Sequence, residues 1–274
     1  MRSLSISGKS WVLKRYNQED LVYIKENFSL DEITSKLLCI RKIKKDEVNS
    51  FLNPSIKNFM PNPSDLLDMD KSTLRAVNAI LNNEKIGIFG DYDVDGATST
   101  ALLSKYFSSI NQKVEIYVPD RKNEGYGPTS ASFQNLIKKG VKTIFTVDCG
   151  TLSFEPIKFA QKSNVDVIVL DHHQSENKLP NACAIVNPNR FDDTSELNYL
   201  CAAGVCFVFI VALNKILRED DWFKKNNITE PNIINFLDLV SLGTICDVVP
   251  LVDLNRAFVT QGLKIIKNRS NLGL

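Results

Sequence analysis

A chain of 274 residues, 43% apolar and 24% charged, has the make-up of an ordinary globular protein of one or two domains, which excludes a disordered or fibrous class. Its 33 Lys and Arg against 32 Asp and Glu leave a formal charge of +1, without the basic excess of a dedicated duplex-DNA binder. Any nucleic-acid affinity must therefore come from a local patch or from cations.

Up to about Leu81, apolar residues recur with a helical period between Pro54, Pro61 and Pro63, which predicts an N-terminal extension of short helices rather than strands. From Lys85 the pattern alternates. Strands are expected over 86–89, 114–118, 143–147, 165–170 and 184–186, with helices near 96–108, 129–139 and 154–163. Repeated βα units predict an α/β fold, a doubly wound and mostly parallel five-stranded sheet with helices on both faces. Beyond Asn198 the chain turns helical, most clearly over 201–217 and 231–242, and 268–274 reads as a loop. The longest apolar stretch, 202–213, is too short to span a bilayer and fits a buried helix, so no membrane segment is expected. The opening Met1-Arg-Ser-Leu-Ser-Ile-Ser-Gly-Lys9 lacks the apolar run of a secretory signal, and no Cys-x-x-Cys pair occurs. Most of the six cysteines therefore read as core thiols in a reducing cytoplasm rather than as disulfides or a zinc site.

Three expected strands end in acid or imidazole. The first leads into Gly90-Asp91-Tyr92-Asp93-Val94-Asp95-Gly96, the third into Asp148-Cys149-Gly150, and the fourth into Asp171-His172-His173, which holds the only two histidines. A lone Asp247 follows in Gly243-Thr-Ile-Cys-Asp-Val-Val-Pro-Leu251. In open α/β sheets ligands gather beyond the carboxyl ends of strands. Each acid alone is compatible with a helix cap or a solvated side chain. Together they point to divalent cations, because alternate acids in an extended segment repel unless neutralised, and Asp with neutral His suits Mn²⁺ or Mg²⁺. Two such cations activate a water and clamp a phosphate, so a phosphoester can be hydrolysed without a protein nucleophile. No Gly-x-x-x-x-Gly-Lys-Ser/Thr loop, Gly-x-Gly-x-x-Gly or nucleophile elbow is present, which disfavours a nucleotide kinase and a Ser-His-Asp hydrolase.

Asp171-His172-His173 is the name-giving motif of the DHH phosphoesterase superfamily. With Gly90-Asp-Tyr-Asp-Val-Asp-Gly-Ala-Thr-Ser-Thr100, Tyr117-Val-Pro-Asp-Arg-Lys-Asn-Glu-Gly-Tyr-Gly127, Val147-Asp-Cys-Gly150, Val186-Asn-Pro188 and Gly243–Leu251, the chain resembles that superfamily's single-strand-specific exonuclease branch. Phe51-Leu-Asn-Pro54 and Leu66-Leu-Asp-Met69 resemble the branch's N-terminal region. The resemblance implies a helical extension over 1–81, a DHH domain over 82–254, and over 255–274 the start of a linker helix toward a second domain. It implies two Mn²⁺ or Mg²⁺ ions on Asp93, Asp95, Asp148, His172 and Asp247, with Asp148 as the bridge. Asp91 would be a ligand or an acid that orients one, and His173 would meet the scissile phosphate or complete the coordination. Arg121 would bind phosphate or be an ordinary surface arginine, and Tyr126 would stack on a base. The implied activity is 5′ to 3′ degradation of single-stranded DNA to mononucleotides in recombination and repair, with a single-strand-binding protein as a further partner. The alternatives are a phosphodiesterase of short oligonucleotides or cyclic dinucleotides, and a regulatory module that kept the motifs without turnover. The branch carries a DHHA1 domain and an oligonucleotide-binding fold beyond the point where this chain stops, so a hydrolytic centre with weak or lost processivity is expected. Cys246 stands where the branch more often has a small apolar residue.

Overall fold

The computed structural model describes residues 5–10 and 12–274 and divides into two compact units, Met1–Asn58 and Phe59–Leu274. Residues 1–4, part of the opening read for a secretory signal, lie outside the described residues. The first unit is helical, as its proline-broken periodicity predicts. It holds α1 (Gln18–Asn27), α2 (Glu32–Ile40) and α3 (Val48–Leu52), and α4 (Ile56–Phe59) runs across the division. Asn17 caps α1 by accepting from the Glu19 amide at 2.7 Å, and Asp31 caps α2 by accepting from Thr34 at 2.9 Å. Ile24, Leu38 and Val48 close a small core between these helices.

The second unit begins before the sheet. Helix α5 (Met69–Leu81) buries Met69, Ala76, Ala79 and Ile80 and packs within this unit, so the compact division falls at 58/59 rather than at 81. There follow β1 (Lys85–Gly90), α6 (Val94–Ser109), β2 (Val114–Tyr117), α7 (Ser130–Lys138), β3 (Val141–Val147), α8 (Phe154–Lys162), β4 (Asp166–Leu170) and β5 (Ala184–Val186). All strand pairs are parallel, in the order β2-β1-β3-β4-β5.

That order fixes the faces. The chain leaves β1 toward β2 through α6, then returns past β1 to β3 through α7, and right-handed crossovers in opposite directions place their helices on opposite faces. Phe89 packs edge-on against Phe133 of α7 at 6.0 Å, in a core shared with Ile144, Val167 and Val169. Phe145 points the other way, to Phe107 of α6 at 5.5 Å and to Phe209 at 5.4 Å. Phe209 belongs to α9 (Ala202–Glu219), whose apolar run is buried as expected. After α10 (Trp222–Lys225) and a 3₁₀ turn, α11 (Leu237–Cys246) packs against α6 and α9, and α12 (Asp253–Ile266) packs against α11. In this strand order the crossovers diverge between β1 and β3, the switch point at which an open α/β sheet leaves a crevice.

Candidate metal centre

Register lines up one polar residue from each of four strands along that crevice. Gly90, Val147, Leu170 and Val186 are successive partners across the sheet, so the next residues, Asp91, Asp148, Asp171 and Asn187, form a row. The backbone amides of the row's three acids each donate to the last carbonyl of the neighbouring strand: Asp91 to Val147 at 3.3 Å, Asp148 to Leu170 at 3.1 Å, and Asp171 to Val186 at 3.1 Å. All four side chains are buried.

From β1 the chain turns into α6 within a few residues. A Cβ at Gly96 would lie 2.5 Å from the Asp91 carbonyl oxygen, so only glycine allows this approach. Asp93 caps α6 by accepting from the Gly96 amide at 2.9 Å. Asp95, 1% exposed, accepts from the amides of Ala202 at 2.6 Å and Ala203 at 3.0 Å, the N-terminus of α9. Cys201, the residue preceding α9, makes no side-chain cap, and Asp95 takes that role from another helix, where the dipole favours an anion. Gly243 of α11 makes room: a Cβ there would lie 2.7 Å from Asp95 Oδ1. Asp247 is the C-cap of α11, half-buried, with its amide donating to the Gly243 carbonyl at 2.9 Å.

The imidazole of His172 sits in the middle. Its Nε2 is 3.2 Å from Asp148 Oδ1 and 3.7 Å from both Asp95 Oδ2 and Asp247 Oδ2. His173 is held differently: its Nδ1 is 2.8 Å from Asp171 Oδ1, and its Nε2 lies 3.3 Å from the Tyr126 hydroxyl. Three donor sets each converge within 4.8 Å: Asp91, Asp93 and Asp148; Asp95, His172 and Asp247; and Asp148, His172 and His173. Asp148 and His172 each belong to two of them.

Three atoms in this crevice, Asp91 Oδ1, Asp148 Oδ1 and His172 Nε2, are buried and have no hydrogen-bond partner among the described residues. Buried polar atoms are ordinarily satisfied, and buried carboxylates are costly unless paired. Burial pushes the carboxyls of Asp91, Asp95 and Asp247 above their ordinary range, and that of Asp148 up to about 10, with Asp95 and Asp93 adding repulsion at Asp148. Oxygen and imidazole donors arranged in this way fit hard or borderline divalent cations. Asp171 behaves oppositely. Burial opposes its ionisation, yet hydrogen bonds from His173 and Thr151 outweigh that and hold it at about 2.

Of the nine residues singled out in the sequence, Asp91, Asp93, Asp95, Asp148, His172, His173 and Asp247 are brought together by these three sets. Tyr126 joins them through its hydroxyl, 3.3 Å from the Asp148 carbonyl oxygen, while its side of the crevice leaves it 57% exposed. Arg121 lies over the Tyr92 ring at 5.2 Å, beside the acidic turn. Sequence reasoning assigned no role to Asp171, Thr151, Asn187 and Asn189, which hold the histidine loop. Their signal lay in the motifs themselves: Asp171 opens the Asp-His-His triplet and Asn187 stands in Val186-Asn-Pro188, while Thr151 and Asn189 directly follow Val147–Gly150 and Val186–Pro188.

A buried carboxylate and imidazole cluster at the switch point of a parallel sheet defines a hard-cation site, and the chain belongs to the DHH family, whose N-terminal domain matches residues 85–244. It is 33% identical over 269 residues to the single-stranded-DNA-specific exonuclease RecJ of Bacillus subtilis, covering 98% of this chain and 32% of that protein. It is 37% identical over 217 residues to the RecJ of Escherichia coli, covering 79% and 37%. The crystal structure of an exonuclease RecJ bound to manganese superposes with a TM-score of 0.62 at 30% identity, over 73% of this chain and 48% of that one. The chain thus spans about a third of the length of the curated relatives it matches.

Proposed function

We propose that the chain carries a phosphodiester-hydrolysing centre that removes mononucleotides from the 5′ end of single-stranded DNA, in recombination and repair in the cytoplasm. The observation that carries this reading is the trio of buried, unpartnered donor atoms on Asp91, Asp148 and His172. Two Mn²⁺ or Mg²⁺ ions are the cofactors this donor set suits; Asp93, Asp95, Asp148, His172 and Asp247 would hold them, Asp148 as the shared ligand, and Asp91 would join or orient these ligands. When bound, such a pair supplies an activated water and neutralises the phosphate.

The chain's own residues do the rest. His173 is anchored through Nδ1 to Asp171, and its Nε2, beside the Tyr126 hydroxyl at 3.3 Å, is the atom that would meet an incoming phosphate. Arg121 offers a guanidinium beside the acidic turn for phosphate, and the exposed Tyr126 ring offers a surface for a base. A single-strand-binding protein is the partner that would deliver the strand. No helix among the described residues is long and apolar enough to cross a membrane.

The test is release of mononucleotides from a 5′-phosphorylated single-stranded oligonucleotide in Mn²⁺, with a dinucleotide as competitor. Digestion from the 5′ end, abolished in Asp95→Ala, is the expected result. Cleavage of the dinucleotide alone would replace the exonuclease reading with that of a short-substrate phosphodiesterase, and hydrolysis surviving Asp95→Ala would overturn the ligand assignment.

A further inference from the structure

We propose that Asn187 is a positioning residue for His173, acting through Thr151 and Asp171 across three strand ends. For catalysis the proposal rests on the hydrolytic reading above, whereas its structural half stands apart from it. Asn187 is the β5 member of the polar row and is fully buried. Its Nδ2 donates to Thr151 Oγ1 at 2.8 Å and to the His173 carbonyl oxygen at 2.9 Å. Its Oδ1 accepts from the Asn189 amide at 2.8 Å, and Asn189 in turn donates to the His172 carbonyl oxygen.

The direction of these bonds makes Asn187 specific. Asp171 Oδ2 accepts the Thr151 hydroxyl at 2.7 Å and the Thr151 amide at 3.0 Å, while Oδ1 accepts from His173 Nδ1 and from the amides of His172 and His173. A hydroxyl has one proton, and that of Thr151 is committed to Asp171, so its remaining neighbour has to be a donor. The side-chain amide of Asn187 supplies that donor, and its second N–H closes the ring on the backbone of His173. An aspartate of the same shape has no donor to offer. It would draw the Thr151 proton to itself, remove one of the bonds that keeps Asp171 a fixed acceptor, and set a carboxylate against the His173 carbonyl. Residues that orient a site's histidines in this way commonly change activity by about 10- to 100-fold when replaced.

The chain has only two histidines, so imidazole ¹⁵N–¹H spectra of the full chain in Mg²⁺ contain one ring to watch and one to serve as reference. In the unsubstituted protein the His173 Nδ1–H, bonded to Asp171, should exchange slowly enough to be seen. In Asn187→Asp it should be lost to exchange with water while the His172 ring signals stay in place, and kcat on the oligonucleotide should fall at least tenfold with KM within twofold. Thr151→Val, which breaks the same chain at its next link, should repeat the pattern and decides the matter if Asn187→Asp does not fold. A His173 Nδ1–H signal that persists in the folded variants, or a loss that strikes His172 equally, would overturn the proposal. A protected His173 signal that responds to both variants in a protein without hydrolysis would retire the functional reading and leave the positioning role intact.

Discussion

Replacing Asp148 by Asn should make the cation-free protein more stable, although it removes the central acid of the site. Burial and the nearby carboxylates of Asp95 and Asp93 raise the Asp148 carboxyl from 3.8 to about 10. Between those values the folded chain holds a proton at this position that the unfolded chain has released, so stability falls as pH rises, by about 1.4 kcal/mol per unit from this one group. At pH 7 the accumulated cost is on the order of 4 kcal/mol, and near pH 4 it vanishes. Asn has nearly the shape of Asp, carries no charge, and is among the few residues that tolerate the left-handed backbone found here, φ 60°. Urea denaturation of both proteins in chelator at pH 4, 5.5 and 7 measures the effect. The variant should match the parent at pH 4 and exceed it increasingly toward pH 7, whereas added Mn²⁺ should stabilise the parent alone. A difference that does not grow with pH, or a variant less stable at pH 7, would refute the reasoning.

Asp171→Asn should act with the opposite sign. Its carboxyl is held at about 2, so its contribution of roughly 2 kcal/mol is present above about pH 4 and lost as pH falls through 2; urea midpoints at pH 7 and pH 3 should show a large and a shrinking difference. Gly243→Ala should destabilise the fold by about 1–3 kcal/mol and weaken Mn²⁺ retention in calorimetric titration, because its Cβ would meet Asp95 Oδ1 and Thr98 Oγ1 at 2.7 Å and Ala203 Cβ at 2.9 Å. Val248 has φ 59° and an 85% exposed side chain, a β-branched residue in a left-handed conformation with little packing to lose. Val248→Asn should therefore stabilise the protein by about 1 kcal/mol, read as a rise in the thermal midpoint.

The strands were legible because each is a short apolar, β-branched run, and every one of the five lies within a residue or two of its expected place. The acids that follow β1, β3 and β4 were legible for the same reason, since a charge directly after such a run has to sit at the end of a strand. Asp247 was visible as a lone acid, without its helical setting. The expected helix over 231–242 begins instead as a 3₁₀ turn and continues to Cys246, with Gly243 and Thr244 buried, and Asp247 is the residue that ends it. The compact units divide at 58/59 rather than 81, a difference the sequence does not show because α5 has the same amphipathic period as the helices before it, and only tertiary packing shows which unit its apolar face joins. Nothing local says that Asp95 caps α9, a helix that begins more than a hundred residues later.

What the sequence withholds most is the strand order, and the order decides the chemistry. The same five strands with β1 and β3 apart would place Asp91 and Asp148 too far apart to share a cation, and each would be an ordinary cap. Adjacency of β1, β3, β4 and β5, with Gly90, Val147, Leu170 and Val186 in register, converts separate strand ends into one continuous polar row. Because side chains alternate along a strand, a slip of one residue in any of these pairings would turn that strand's apolar set to the wrong face. The burial of Phe89, Phe145 and Ile168 on their respective faces therefore holds the register, and the register in turn holds the acids. In this fold the hydrophobic core and the candidate metal centre are specified by the same alignment, which is why residues as unlike as Asp148 and Asn187 occupy equivalent positions and serve a common site.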